Sequence, residues 1–330
     1  MYESFYNLKE KPFNLTPDPR FIYFTEKHCE ALANLVYGIR ERKGFMVLSG
    51  EVGTGKTTLL NALLDTLDRT GILSAFIFNP LLSTMEFFEY LASDLNLRGE
   101  FRSKSQILIK LNNMLLERYR QGKPTVLIVD EAQKLSTEVL EEIRLLTNLE
   151  TASEKLLQIV LSGQPELSLK LNTPELRQLK QRISLRCNLD PLTLAETREY
   201  INTRMEIAGV PKQQAFPEAT VSEIYRLSGG IPRLINTICD NALLIGYATE
   251  TKTIGLDIIQ EISTDLELSH IQRIPLRAVS GGPPHNWTRT AGNLADMTPS
   301  EGENRETFHY DSESFDLFVQ FVDKLRENSK

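Results

Sequence analysis

The sequence has little of what marks disulfide-bonded, metal-held or membrane-spanning chains. Among 330 residues it has three cysteines, four histidines and one tryptophan. Cys29, Cys187 and Cys239 lie far apart and form no C-x-x-C pair of the zinc or redox kind. They read as buried free thiols, which pack as small hydrophobes. The histidines are scattered and build no metal site. No run approaches the ~18 consecutive apolar residues of a membrane-crossing helix. The start, Met1-Tyr2-Glu3-Ser4-Phe5-Tyr6, lacks the basic stretch leading into an apolar one that a secretory signal requires. The expected location is therefore the cytoplasm. An excess of basic charge is missing too, the formal charge being −7. Proteins that neutralise nucleic-acid phosphates usually show the opposite balance. A nucleic-acid partner is not favoured, although a local basic face on an acidic protein leaves it open.

Hydrophobic content of 41% and charged content of 25% are ordinary for a globular protein. At roughly 150 residues per domain, the length predicts two folded units and a tail. After a turn-rich stretch with Lys11-Pro12-Phe13 and Thr16-Pro17-Asp18-Pro19, residues 26–42 carry Leu32, Leu35, Val36 and Ile39 at helical spacing. Short apolar runs then alternate with helical patterns. Strands are expected at 45–49, 74–79, 125–130, 156–162 and 185–189. Helices are expected at 56–69, 83–95, 104–120 and 137–150, with shorter pieces at 166–171 and 174–183. Strands separated by helices imply a parallel α/β sheet covered on both faces. From Pro191 the pattern turns all-helical, over 193–208, 217–227, 232–248 and 256–266. Thr193-x-x-Glu196 has the form of a capping box at its start. The expected units are a lead-in, 1–44, packing on the core; a nucleotide-binding domain, 45–190; and a helical lid, 191–268. A disordered linker, 269–314, rich in Gly, Ser, Thr and Glu, and an amphipathic helix, 315–326, complete the chain. In that last helix Phe315, Phe318, Val322 and Leu325 share a face.

Gly50-Glu51-Val52-Gly53-Thr54-Gly55-Lys56-Thr57 fits G-x-x-x-x-G-K-[ST] between a strand and a helix. Its glycines let backbone N–H groups surround phosphate oxygens, and the helix start adds its positive dipole end. In this reading Lys56 reaches the β- and γ-phosphates of ATP and Thr57 holds Mg²⁺. Val126-Leu127-Ile128-Val129-Asp130-Glu131 is an apolar strand ending in two acids. Asp130 is placed on the Mg²⁺ shell opposite Thr57, and Glu131 is the group that polarises the attacking water. Ser162 or Gln164, at the tip of the fourth strand, is the polar sensor of phosphate or water. That strand is expected between the two motif strands. Arg177, Arg182 and Arg186 cluster around the fifth strand, and Arg182 is the choice for a guanidinium reaching a neighbour's site. Arg233, in Gly229-Gly230-Ile231-Pro232-Arg233, opposes a helix dipole, so contact with nucleotide from the second domain accounts for it better than propensity does.

Together these residues resemble the AAA+ ATPases related to general secretion pathway protein A, over about residues 1–265. The resemblance rests on Pro12-Phe13, Thr16-Pro17-Asp18-Pro19 and Gly50 through Thr57 with Thr58. It continues through Asp130-Glu131-Ala132-Gln133, Gly163-Gln164-Pro165-Glu166-Leu167, Gln181-Arg182 and Gly229 through Arg233. It implies an ATP- and Mg²⁺-dependent P-loop ATPase with a helical lid, working as a ring-like homo-oligomer with a protein component of an envelope machine. Such machines serve secretion, surface-pilus or exopolysaccharide export. The longer family members carry a membrane span and a peptidoglycan-binding segment after the ATPase; this sequence shows neither. It looks like the short cytoplasmic type that accompanies exosortase and exopolysaccharide systems. Two other readings stand beside it: a DNA-associated switch like the transposition target selectors, and a nucleotide-gated scaffold with slow turnover.

Overall fold

The computed structural model describes residues 1–268 apart from 15–20, 22, 79 and 211–214. The expected turn at 16–19, the linker at 269–314 and the amphipathic helix at 315–326 lie outside the described residues.

Five strands, β1 (Phe45–Gly50), β2 (Leu73–Ile77), β3 (Thr125–Val129), β4 (Gln158–Gly163) and β5 (Ile183–Leu189), form one parallel sheet. Its order is β2-β3-β4-β1-β5, so β4 stands between β3 and β1 as expected. Successive side chains on a strand point to opposite faces. Phe45 and Val47 of β1, Leu127 and Val129 of β3, and Ile159 and Leu161 of β4 join one apolar cluster. Met46 and Leu48, Val126 and Ile128, and Val160 join the other. Both faces are covered, which is why the central strands read as unbroken apolar runs.

Helices α2 (Glu26–Arg40) and α3 (Lys56–Arg69) cover the second face through Leu32, Leu35, Ile39, Leu59, Leu63 and Leu67. Helices α4 (Thr84–Asp94), α5 (Lys104–Arg120), α6 (Thr137–Leu146) and α7 (Pro165–Leu171) cover the first. A short α8 (Arg177–Lys180) leads into β5. Helix α6 ends at Leu146, earlier than the expected 150. The Thr147 hydroxyl there donates to the Arg144 carbonyl at 2.6 Å, and the chain turns into an antiparallel bridge between Glu150 and Lys155. β5 begins two residues earlier than expected, because Ile183 already pairs with Phe45 across an irregularity in register.

The helical domain is α9 (Leu194–Ile207), α10 (Glu218–Ser228), α11 (Pro232–Ala248) and α12 (Leu256–Asp265). The capping box of Thr193 and Glu196 starts it, with both reciprocal hydrogen bonds present.

The lead-in does not behave as one piece packing on the nucleotide core. Only α2 covers the sheet. The short α1 (Tyr2–Phe5) and the residues after it complete the core of the helical domain, where Tyr2, Tyr6, Leu8, Phe13 and Phe21 are buried. Phe13 meets Phe216 edge to face at 5.9 Å, and Arg204 donates to the Pro12 carbonyl at 2.7 Å. The N-terminal aromatics add to the apolar core that these helices enclose. Cys187 and Cys239 are buried free thiols as expected, whereas Cys29 is half-buried.

Candidate nucleotide site

β1 delivers the chain to Gly50, between β4 and β5, and α3 starts at Lys56. Gly55, just before the helix, is left-handed at φ 99° and ψ 14°. A left-handed residue followed by a helical one turns successive N–H groups toward a single concavity, which is an anion-binding nest. The α3 N-terminus stands behind it. Lys56 is buried, and its Nζ donates to the carbonyls of Gly50 and Glu51, each at 2.8 Å. Burial lowers its pKa, and the negative charges of Glu131, Asp130, Glu51 and Glu166 work against that shift. The amine therefore sits inside the loop, drawn onto the loop's own backbone.

Asp130 leaves the tip of β3. Its Oδ2 accepts from the Thr57 hydroxyl at 2.8 Å, and its Oδ1 from the Ser162 hydroxyl at 2.8 Å and the Glu131 N–H at 2.9 Å. Because β4 lies between β1 and β3, Ser162 reaches Asp130 from the next strand. A hydroxyl and a carboxylate side by side at a phosphate nest are hard oxygen donors. They fit Mg²⁺, which takes one or two such protein groups and leaves its other positions to phosphate and water. Among the described residues no cluster of three or more His, Cys, Asp or Glu offers a separate metal site.

Glu131 is a non-glycine residue in the left-handed region, at φ 52°. Its Oε2 receives Gln133 Nε2 at 2.8 Å, Gln164 Nε2 at 3.2 Å and the Lys134 ammonium at 3.3 Å. Burial pushes its pKa up, but the hydrogen bonds from Gln133, Lys134 and Gln164 together outweigh that and hold the carboxyl below its ordinary value. Gln133 also accepts from the Gln164 N–H at 3.1 Å, so the β3 and β4 tips are linked through one amide.

Gly50, Gly53, Thr54, Gly55, Lys56, Thr57, Asp130, Glu131, Ser162 and Gln164 thus converge. The side chains of Glu51 and Val52 are exposed. Arg233 comes to the loop at the start of α11. Its N–H donates to the Gly53 carbonyl at 3.4 Å, and an added Cβ at Gly53 would lie 2.7 Å from the Arg233 Cβ. Arg182 is not brought to this site. Ile183 pairs with Phe45 while Leu189 pairs with Gly50, so Arg182 stands at the far end of the sheet, roughly 20 Å away at the rise of a strand. Its guanidinium donates to the Thr147 hydroxyl at 2.8 Å. Arg177 is exposed beside it.

Three contributors escaped the sequence. Gln133 and Lys134 follow the acid pair, and only the turn after β3 folds them back onto Glu131. His28 lies in α2, and its Nε2 is 3.0 Å from the Thr54 carbonyl. A partner that is a backbone carbonyl leaves no mark in the sequence.

Known proteins supply an independent comparison. The family described as "AAA domain" matches residues 39–171. General secretion pathway protein A of Aeromonas hydrophila is 45% identical over 249 residues, which is 75% of this chain and 45% of that protein. The chain thus spans less than half the length of that relative. Among solved structures, the ORC2 protein of Aeropyrum pernix superposes with a TM-score of 0.55 at 15% identity, covering 80% of this chain and 75% of that one. Cdc6p of Pyrobaculum aerophilum gives 0.57 at 18% identity, covering 80% and 70%. Likeness at such low identity concerns the fold. The parallel sheet of this order, its glycine-rich loop and the helical domain after it agree with the sequence match: over these residues the chain is similar to general secretion pathway protein A and has the AAA+ P-loop fold.

Proposed function

We propose that the chain binds Mg-ATP and hydrolyses it to ADP and phosphate, using turnover to drive assembly or regulation of an envelope secretion, pilus or exopolysaccharide export system. The observation that carries this reading is the contact of Thr57 and Ser162 with Asp130 beside the nest at Gly55 and Lys56, with Glu131 as the next residue. In this reading Gly50, Glu51, Val52, Gly53, Thr54, Gly55, Lys56, Thr57 and Thr58 hold the phosphates, with Arg233 added from the helical domain. Lys56 exchanges the carbonyls of Gly50 and Glu51 for phosphate oxygens. Thr57 and Asp130 hold Mg²⁺, which supplies charge neutralisation on the phosphates. Glu131 accepts the proton of the attacking water once its donors are displaced. Gln164, already on Glu131, orients the water. Arg182, remote from its own site, serves that of a neighbouring copy in a ring-like homo-oligomer.

The export role rests on the similarity to general secretion pathway protein A. No helix among the described residues is long and apolar enough to cross a membrane. We place the protein in the cytoplasm, brought to the inner membrane face by its partner. Phosphate release by the purified chain, dependent on both ATP and Mg²⁺, tests the enzymatic half. A chain that binds Mg-ATP but releases no phosphate at any concentration makes it a nucleotide-gated scaffold instead. Capture of an export-system component by Glu131→Gln with ATP, and not without it, tests the other half. Arg233→Ala should abolish the protection that ATP gives the helical domain against protease; unchanged protection removes Arg233 from the site.

A further inference from the structure

His28 lies in the first turn of α2 and is 5% exposed. Thr25, the N-cap of that helix, accepts from the His28 N–H at 3.3 Å, and the same hydroxyl oxygen is 2.8 Å from His28 Nδ1. The Thr25 oxygen is thereby an acceptor for the backbone, and its own proton is free to go to Nδ1. That leaves the ring's proton on Nε2, which faces the Thr54 carbonyl at 3.0 Å. Phe24 stacks on the imidazole at 5.8 Å. Burial lowers the pKa of His28, which agrees with a neutral ring. Position, tautomer and direction of this side chain are all fixed by neighbours.

The partner matters because of what lies on its other side. In a trans peptide the C=O and the following N–H point in opposite directions. The Thr54 carbonyl belongs to the same peptide plane as the Gly55 N–H. Gly55 and Lys56 adopt the left-handed and helical conformations that make successive N–H groups converge, and the Gly55 N–H is the first of that set. Pinning the Thr54 carbonyl toward α2 therefore aims the Gly55 N–H away from α2, into the nest. A side chain at Gly55 would oppose this twice: φ is +99°, and an added Cβ would lie 3.2 Å from His28 Nε2. Gly55 has no side chain to hold the plane, so a hydrogen bond from outside the loop does it.

We propose that His28 is a positioning residue for nucleotide binding, locking the Thr54–Gly55 peptide so that the Gly55 N–H faces the bound phosphates. The inference rests on reading Gly50–Thr57 as the phosphate loop. It ties the N-terminal helix to the site, a role that residues 1–44 do not otherwise have in the chemistry.

The test is calorimetric titration of the full chain with Mg-ATP and, separately, with inorganic tripolyphosphate, which offers phosphates without base or ribose. His28→Leu keeps the ring's volume roughly and removes the donor. It should weaken both ligands by about tenfold, the scale of one net hydrogen bond lost at a buried group. His28→Gln returns an N–H donor near the Nε2 position and should recover most of the affinity. Thr25→Val, which leaves the imidazole in place but loosens its direction, should weaken both ligands by about threefold. It also serves if His28→Leu does not fold. Parent-like affinity in His28→Leu overturns the proposal, as does Gln falling as far as Leu. A loss confined to Mg-ATP with tripolyphosphate unchanged also overturns it, since the effect would then lie at the base or ribose. A parent chain that binds neither ligand overturns the phosphate-loop reading itself, which is a different outcome.

Discussion

Asp130 and Glu131 are consecutive acids at the tip of one strand, yet they meet opposite surroundings. Asp130 ends the fully buried β3 and is held by two short hydroxyls, Thr57 and Ser162, each on a neighbouring rigid element. Glu131 has left the strand, stands in left-handed backbone and is held by the long side chains of Gln133, Lys134 and Gln164. The first arrangement is set by strand order and cannot move without moving the sheet. The second consists of side chains that rotate. Under the function proposed above, the comparison teaches that the binding half of the site is assembled in the fold, whereas the hydrolytic half has its acid engaged by donors. A carboxylate whose oxygen already accepts three hydrogen bonds is a poor base. In that reading turnover needs those donors drawn away, and binding does not.

The largest effect should come from the binding half. Lys56→Ala should weaken Mg-ATP by more than about a hundredfold, the scale of losing charge-assisted contacts to two phosphate groups. Calorimetry reads this directly, and an unchanged affinity would remove the site from Gly50–Thr57 altogether.

Glu131→Gln should separate the halves. Hydrolysis should fall by about a hundredfold or more, the contribution typical of a general base, with affinity for Mg-ATP changed little. Phosphate release and calorimetry on one preparation decide it. If affinity fell along with turnover, Glu131 would belong to the binding half and the contrast with Asp130 would dissolve.

Arg182→Ala should lower turnover by about tenfold or more in the assembled protein while leaving nucleotide binding intact. Titrating Arg182→Ala subunits into Glu131→Gln subunits should restore part of the activity, because some interfaces then carry both groups. Absence of recovery at every ratio, with mixing of subunits demonstrated, would leave Arg182 as a structural partner of Thr147.

The smallest effect concerns pH. Burial holds the folded His28 below its ordinary pKa of 6.5. As pH falls below that value the unfolded chain takes up a proton that the folded chain refuses, so stability declines. Above that value the group contributes no pH dependence. The thermal midpoint of the parent should therefore drop more steeply below pH 6.5 than that of His28→Gln. Parallel profiles would mean that His28 is protonated in place, with Thr25 turned to accept from it.

The part of the site that was legible in the sequence is the part made by contiguous residues. Gly50–Thr57 and Asp130-Glu131 each lie within one segment, and the apolar runs before them fix the strands that carry them. Gln164 was legible because it follows the tip of β4. The lead-in departs from expectation because Tyr2, Tyr6 and Phe13 carry no period that assigns them to a face; their burial with residues of α9 to α12 joins segments distant in sequence. The early end of α6 is not legible either, since helical spacing runs on through Leu149 while the Thr147 hydroxyl ends the helix locally.

What the sequence determined by itself is therefore the alternation of strands and helices, the glycine-rich turn of Gly50–Thr57, the acid pair and the capping box at Thr193, because each depends on backbone geometry over a few neighbouring residues. Tertiary structure alone decided that His28 meets the Thr54 carbonyl and that Arg182 stands at the far end of the sheet. These are consequences of strand order and of helices packed on two faces, which bring distant residues together through contacts that no periodicity encodes.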